Sequence, residues 1–311
     1  MGRRRLGLVV VSLGFVLGGS ALLPSSLRGP AHAKKPDARP GGPPAASAAS
    51  PAKPATERAR PANAPAGQSR AQACPGEMAA VGSACIDRYE AHLLIRRGDG
   101  SLAPHPPHAR PEGGDLVAAS RAGVKPQAYL SRFEAAAACE RAGKRLCAVA
   151  EWYAACRGKA DTLYPYGPSF VRGSCNVGKP HLLSLLYGDD PKAWRYDEHF
   201  NDPELAKRPG FLAKTGEYTD CKSPSGVFDL VGNLHEWVAD RVDLSLAQKL
   251  PLTDGIRGRL RANAGKGIFM GGFFSTTDQH GPGCRFVTIA HEAAYHDYST
   301  GFRCCADRTS P

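Results

Sequence analysis

Ten cysteines, all beyond residue 73, restrict what this chain can fold into more than any other feature. Their number is even and the N-terminus reads as an export signal, a combination that favours disulfides. A structural zinc site is the competing use of the same residues. No Cys-x-x-Cys pair exists, however, and the adjacent Cys304 and Cys305 cannot chelate comfortably side by side. Cys74 and Cys85 lie eleven apart around a short hairpin-like stretch, so a local bridge is the natural expectation.

The export reading rests on the first 33 residues. Arg3, Arg4 and Arg5 precede an apolar run from Leu6 to about Leu23, and Ala31-His32-Ala33 supplies an A-x-A cleavage site. Residues 1–33 are therefore expected to be a signal peptide. A retained membrane anchor is the alternative, but glycines and serines interrupt the run. No Cys precedes Cys74, which rules out a lipoprotein anchor, while the paired arginines leave twin-arginine export open. The expected location is periplasmic or extracellular, without a transmembrane anchor after processing.

Residues 34–72 are rich in Pro, Ala, Ser and Gly and nearly free of large apolar side chains. Such a segment cannot bury enough surface to offset its ordering entropy, so it reads as a disordered linker. Residues 73–308 remain for one domain, a length that supports a sizeable core. The net charge of +11 belongs mostly to the tail: residues 1–72 carry 11 Lys/Arg against Asp37 and Glu57. The folded part is nearly neutral, which argues against a nucleic-acid-binding body.

The densest chemistry lies in residues 224–240, Pro-Ser-Gly-Val-Phe-Asp-Leu-Val-Gly-Asn-Leu-His-Glu-Trp-Val-Ala-Asp. Asp229 and Glu236 flank Gly232-Asn233, a pair that favours a turn over a helix interior. Such a turn aims carbonyls inward, so two carboxylates and a few carbonyls can converge as the oxygen cage a hard cation such as Ca²⁺ requires. An acidic surface loop with buried aromatics is the alternative.

That segment resembles the Gly-Leu-Tyr-Asp-Met-x-Gly-Asn-Val-x-Glu-Trp signature of the formylglycine-generating enzyme family, the sulfatase-modifying factors. Gly143-Lys-Arg-Leu-Cys-Ala-Val-Ala-Glu-Trp-Tyr-Ala-Ala-Cys-Arg-Gly158 is similar to the family's Gly-Lys-Arg-Leu-Pro-Thr-Glu-Ala-Glu-Trp-Glu run. Gly301-Phe-Arg-Cys-Cys305 resembles its closing strand, and Tyr164-Pro-Tyr-Gly167 and Met270-Gly-Gly272 fit two weaker landmarks. These motifs occur in the family's order across roughly residues 85–307.

The resemblance implies an α+β, irregular C-type-lectin-like fold, stapled by disulfides. It implies bridges between Cys139 and Cys304 and between Cys156 and Cys284. Four cysteines are left by the resemblance, and their pairing stays open, with Cys175–Cys221 and Cys147–Cys305 as the expectation. It also implies a calcium site made of the Asp229 and Glu236 side chains with the Gly232 and Leu234 carbonyls. A second calcium site would use Asn176 and the Val177 carbonyl, its other ligands unplaced because residues 179–215 depart from the family pattern. His235, where a Trp is common, is expected to pack or hydrogen-bond rather than to bind a second metal.

Local signals agree with two helices among short strands and long loops. Ser131-Arg-Phe-Glu134 is a capping box that opens a helix from Arg132 to about Arg141, stopping at Gly143. A second helix is expected from Ala148 to Cys156 with Gly158 beyond it, and Trp152 is expected in the core. Val227-Phe228 and Ile268-Phe269-Met270 read as strands.

Catalysis is where chain and family part. The family's oxidases convert a substrate cysteine to formylglycine with two cysteines that bind Cu(I), an ion suited to soft thiolates. The corresponding interval here, residues 273–283, contains no cysteine, so copper is not expected and no catalytic residue is assigned. His280, His291 and His296 admit another metal site, with exposed loop histidines as the plainer account. Ser275 and Thr276 have no assignable base. Two classes follow: a calcium-stabilised, exported binding or scaffolding module for a peptide, protein or glycan, or a family oxidoreductase of altered metal chemistry. The missing thiols favour the first.

Overall fold

The computed structural model describes residues 73–277 and 281–308, all within one compact unit spanning Pro65–Pro311. The expected signal peptide, the linker and His280 lie outside the described residues.

Two helices anchor the domain. Ser131 opens α1 (Arg132–Arg141): its hydroxyl accepts from the Glu134 N–H at 3.3 Å, and the Glu134 carboxylate accepts from the Ser131 N–H at 2.7 Å. Two donors that a helix start leaves orphaned are thus satisfied reciprocally. The helix α2 (Val149–Arg157) starts one residue later than expected and ends on Gly158, whose φ of +60° is cheap only for glycine. Trp152 and Cys156 of α2 are fully buried. Four further α-helices among the described residues are six residues or shorter: α3 (Leu182–Tyr187), α4 (Glu204–Lys207), α5 (Leu246–Lys249) and α6 (Asp254–Arg259).

The strands are β1 (Met78–Val81), β2 (Ala84–Asp87), β3 (Ala91–Arg96), β4 (Leu102–Pro104), β5 (Leu116–Ser120), β6 (Arg145–Leu146), β7 (His235–Arg241), β8 (Gly267–Met270), β9 (Val287–Thr288), β10 (Thr300–Phe302) and β11 (Cys304–Asp307). They form three small sheets, ordered β1-β2-β11-β6, β10-β7-β8-β9 and β4-β3-β5. Strand β7 is central to the second: Glu236 faces Gly301 on parallel β10 and Met270 on antiparallel β8. Val227-Phe228, expected as a strand, makes only an isolated bridge between Phe228 and Lys222. The turn-rich sequence around it offers no partner run to extend that pairing.

Five disulfides close: Cys74–Cys85, Cys139–Cys304, Cys147–Cys305, Cys156–Cys284 and Cys175–Cys221. Strand geometry explains the adjacent pair, because successive side chains point to opposite faces. Cys304 therefore enters the core beside α1, whereas Cys305 enters the core around Trp152. One strand, two staples.

Candidate functional site

The 229–236 segment is a buried turn leading into β7. Asp229 and Asn233 both take left-handed backbone, each at φ +58°, and Gly232 does so at φ +82°. Gly232 cannot be replaced cheaply, since a Cβ there would lie 2.1 Å from the Asn176 carbonyl oxygen. Asn233 is the hub of the turn. Its Oδ1 accepts from Ala213 N–H at 2.9 Å and Asn176 Nδ2 at 2.8 Å, and its Nδ2 donates to Glu90 Oε2. Glu90 Oε1 also accepts from the Leu234 N–H at 3.1 Å.

Both acids named from the sequence are buried, which excludes the exposed acidic loop. Glu236 receives Arg303 through two bonds of 2.6 Å, Nε to Oε2 and Nη2 to Oε1, and Trp152 Nε1 at 2.7 Å. Asp229 Oδ2 accepts from the Gly216 N–H at 2.7 Å. Three buried carboxylates (Glu90, Asp229, Glu236) thus share one guanidinium. Burial, offset in part by the Gly216 bond and Arg303, pushes the Asp229 carboxyl up to about 7. Burial and the charges of Asp229 and Glu236 raise Glu90 well above the carboxylate range. Unpaired negative charge in such an interior costs several kcal/mol per ion, so the surplus calls for protons or a cation.

Whether calcium fits differs between the two expected positions. At the first, the surplus charge suits a cation, with Glu236 hydrogen-bonded to Arg303 and Asp229 only within reach of its charge. At the second, the fit fails. Asn176 turns its Nδ2 to the Phe211 carbonyl at 2.8 Å as well as to Asn233 Oδ1, so it presents a donor where a metal ligand presents oxygen. Among the described residues, no group of three His, Cys, Asp or Glu side chains is placed to hold a metal.

A cleft of about 410 Å³ opens at His235, the first residue of β7, lined by Phe273, Ser275, Thr276 and Thr277, the residues expected in place of the family's thiol loop. Phe269, Phe286 and Tyr298 supply its rings, and His181, His235 and His291 its imidazoles. The rings form a contiguous surface: His181 stacks on Trp194 at 4.9 Å, His235 meets Phe269 at 4.6 Å and Phe273 at 5.0 Å, and His291 meets Tyr295 at 3.9 Å. No Lys or Arg is among the described lining residues. The one carboxylate among the described lining residues, Asp297, is already bonded by Tyr295 Oη at 2.6 Å and by Ser299 Oγ at 2.7 Å.

The expected exposure of the loop histidines is corrected. His296 is buried, with Nδ1 2.8 Å from Asn201 Oδ1, and His291 is half-buried, because the aromatic surface packs against them. The hydroxyls of Ser275 and Thr276 are engaged by backbone, bonding Pro180 O at 2.8 Å and the Phe273 N–H at 2.7 Å respectively. Sequence reasoning missed Glu90, which sits in no motif, and gave Arg303 no role although it stands in the quoted Gly-Phe-Arg stretch.

The fold and the motifs it assembles define a lectin-like, disulfide-stapled domain of the sulfatase-modifying kind. The model of the sulfatase-modifying factor enzyme 1-like domain matches residues 94–308, and the chain belongs to that family. Among solved structures it is similar to PvdO from Pseudomonas aeruginosa, at 14% identity over 72% of this chain and 80% of that one, TM-score 0.39. It is also similar to the Major Tropism Determinant I1 variant, at 16% identity over 76% of this chain and 54% of that one, TM-score 0.41. CarF aligns at 16% identity over 70% of this chain and 59% of that one, TM-score 0.28. A comparison with curated proteins gives no match.

Proposed function

We propose that this chain is a non-catalytic binding member of its family, acting outside the cytoplasm, whose aromatic and imidazole-lined cleft receives an uncharged ligand. The observation that carries this reading is the cysteine inventory. All ten cysteines are in disulfides, and the cleft wall at 273–277 offers a phenyl ring and hydroxyls. No thiolate is left to hold Cu(I), and hydroxyl oxygen is a poor match for that soft ion.

The same cleft limits the ligand. Among the described lining residues there is no Lys or Arg to pair with phosphate, sulfate or carboxylate, and the carboxylate of Asp297 is spent internally. Flat rings edged by imidazoles and hydroxyls suit a neutral sugar, whose apolar face stacks while its rim hydrogen-bonds. Calcium enters as a structural ion beside Asp229, with Glu236 and the Gly232 and Leu234 carbonyls, offsetting the buried surplus charge. Five disulfides support an oxidising location, and no helix among the described residues is long and apolar enough to cross a membrane.

The test has two arms. Incubation with a Cys-x-Pro-x-Arg peptide, copper and oxygen should yield no aldehyde by mass spectrometry. An array of neutral glycans should give saturable binding that Phe273→Ala weakens. Copper-dependent aldehyde would establish the enzyme reading instead, and binding confined to charged ligands would refute the cleft assignment.

A further inference from the structure

We infer that the second calcium position implied by the family, at Asn176 and Val177, takes no calcium in this chain because the Asn176 side chain turns its amide nitrogen to the 210–212 turn and the ammonium of Lys179 holds the carbonyls there. Lys179 follows Val177 by two residues and its Nζ donates to the Gly210 and Phe211 carbonyls, the latter at 2.9 Å. Lys125 Nζ donates to the next carbonyl, Leu212. Three successive carbonyls of the 210–212 turn are thus capped by two side-chain cations.

Asn176 reinforces the arrangement. Asn233 Oδ1 must be an acceptor, because Ala213 N–H points at it and Asn233 Nδ2 faces Glu90. The Asn176 atom between Asn233 Oδ1 and Phe211 O is consequently the nitrogen, and its Oδ1 is turned away, buried and without a hydrogen-bond partner. A calcium ligand would turn its oxygen, not its nitrogen, to the shared partner. Here the amide and an ammonium both donate to Phe211 O. Adding a divalent ion would place two positive charges beside the ammoniums of Lys179 and Lys125. Glu217 is the acid that acts on both lysines, and its carboxylate accepts from the Lys214 N–H at 2.9 Å. The two positions are therefore opposite in sign: surplus carboxylates at Asp229, surplus ammoniums at Asn176.

Calcium bound per chain, measured by equilibrium dialysis and atomic emission on the chelator-stripped full-length protein, tests this. Asp229→Asn should abolish the calcium that wild type binds. Calcium that survives in Asp229→Asn and is removed by Asn176→Ala would overturn the inference. If wild type binds none, the Asn176 position is empty as inferred, and it is the calcium part of the proposed function that fails. Separately, Lys179→Met, which keeps the apolar stem, should lower Tm by about 3–8 °C through loss of charged hydrogen bonds, with no recovery in millimolar calcium. An unchanged Tm, or full recovery on adding calcium, would show that the ammonium does not hold this turn.

Discussion

Arg303 and Glu236 form a two-bond ion pair with both contacts at 2.6 Å and side chains 0% and 1% exposed. The pair joins the end of β10 to β7, and it fixes the guanidinium that also bonds the carbonyls of Asp87 at 3.1 Å and Phe228 at 2.8 Å. The latter bond reaches the residue just before Asp229, so the pair sets where the turn enters the core.

Breaking this pair from either side should be costly but unequal. Glu236→Gln removes the charge and keeps much of the shape, leaving a buried guanidinium with two carbonyl partners. Arg303→Met strands Glu236 and both carbonyls. About 3–5 kcal/mol is the expected loss for removing one partner of a buried pair, with Arg303→Met the worse. Chemical denaturation of the two single variants and the double variant checks this. A double variant whose loss relative to wild type equals the sum of the two single losses would mean the residues are not coupled.

The fold was legible where local signals are strong. Ser131 and Glu134 announce α1 by a capping box whose parts lie three residues apart, and Gly158 announces the end of α2. The Cys139–Cys304 and Cys156–Cys284 bridges agree with the resemblance and Cys74–Cys85 with its short spacing, whereas the pairing of the other four, left open by the sequence, is settled by Cys304 and Cys305 diverging through strand alternation. The candidate site was less legible because its partners are distant in sequence. Glu90 reaches Asn233 and Arg303 reaches Glu236 across chain separations that no periodicity encodes. The Lys179 and Lys125 caps fall outside any motif, since an ammonium on a carbonyl has no spacing rule.

The disulfides should differ in worth. In the chain-entropy account, the bridge at separation 165, Cys139–Cys304, exceeds that at separation 11, Cys74–Cys85, by about 2 kcal/mol, because the closed loop is longer. Cys139→Ser/Cys304→Ser should therefore lose more stability in urea than Cys74→Ser/Cys85→Ser. Native alkylation should label no cysteine in wild type. Labelling of Cys147 or Cys305 before reduction would contradict the bridge between them.

Acidification should weaken the cleft through His181, one of its three histidines. Burial lowers the His181 pKa below the ordinary 6.5, so the folded state favours neutral imidazole. The stability this represents is present above the unfolded value and is lost as pH falls through the folded one. His181→Phe keeps a flat ring against Trp194 and cannot titrate. Between pH 7 and 5, roughly the window bracketing the free imidazole, wild type should lose more Tm than this variant. Equal losses would show that His181 is protonated without penalty.

Phe273 and Phe274 are neighbours with different duties, which gives a test of the cleft that separates binding from folding. Phe274 is fully buried, packed edge-on to Phe211 at 5.6 Å and near Tyr298 at 6.0 Å, so truncation leaves a cavity the surrounding rings cannot fill. Phe274→Ala should cost about 3–5 kcal/mol. Phe273 is half-buried at the cleft wall, facing His235 at 5.0 Å, and its ring is available to a ligand. Phe273→Ala should cost under about 1.5 kcal/mol in stability, because water already reaches one side of the ring. It should nevertheless weaken binding of a neutral glycan about tenfold or more, the loss expected of a buried aromatic anchor. Thermal melts and titration calorimetry on the two variants read these effects separately. Intact glycan affinity in Phe273→Ala would place the ligand elsewhere on the domain.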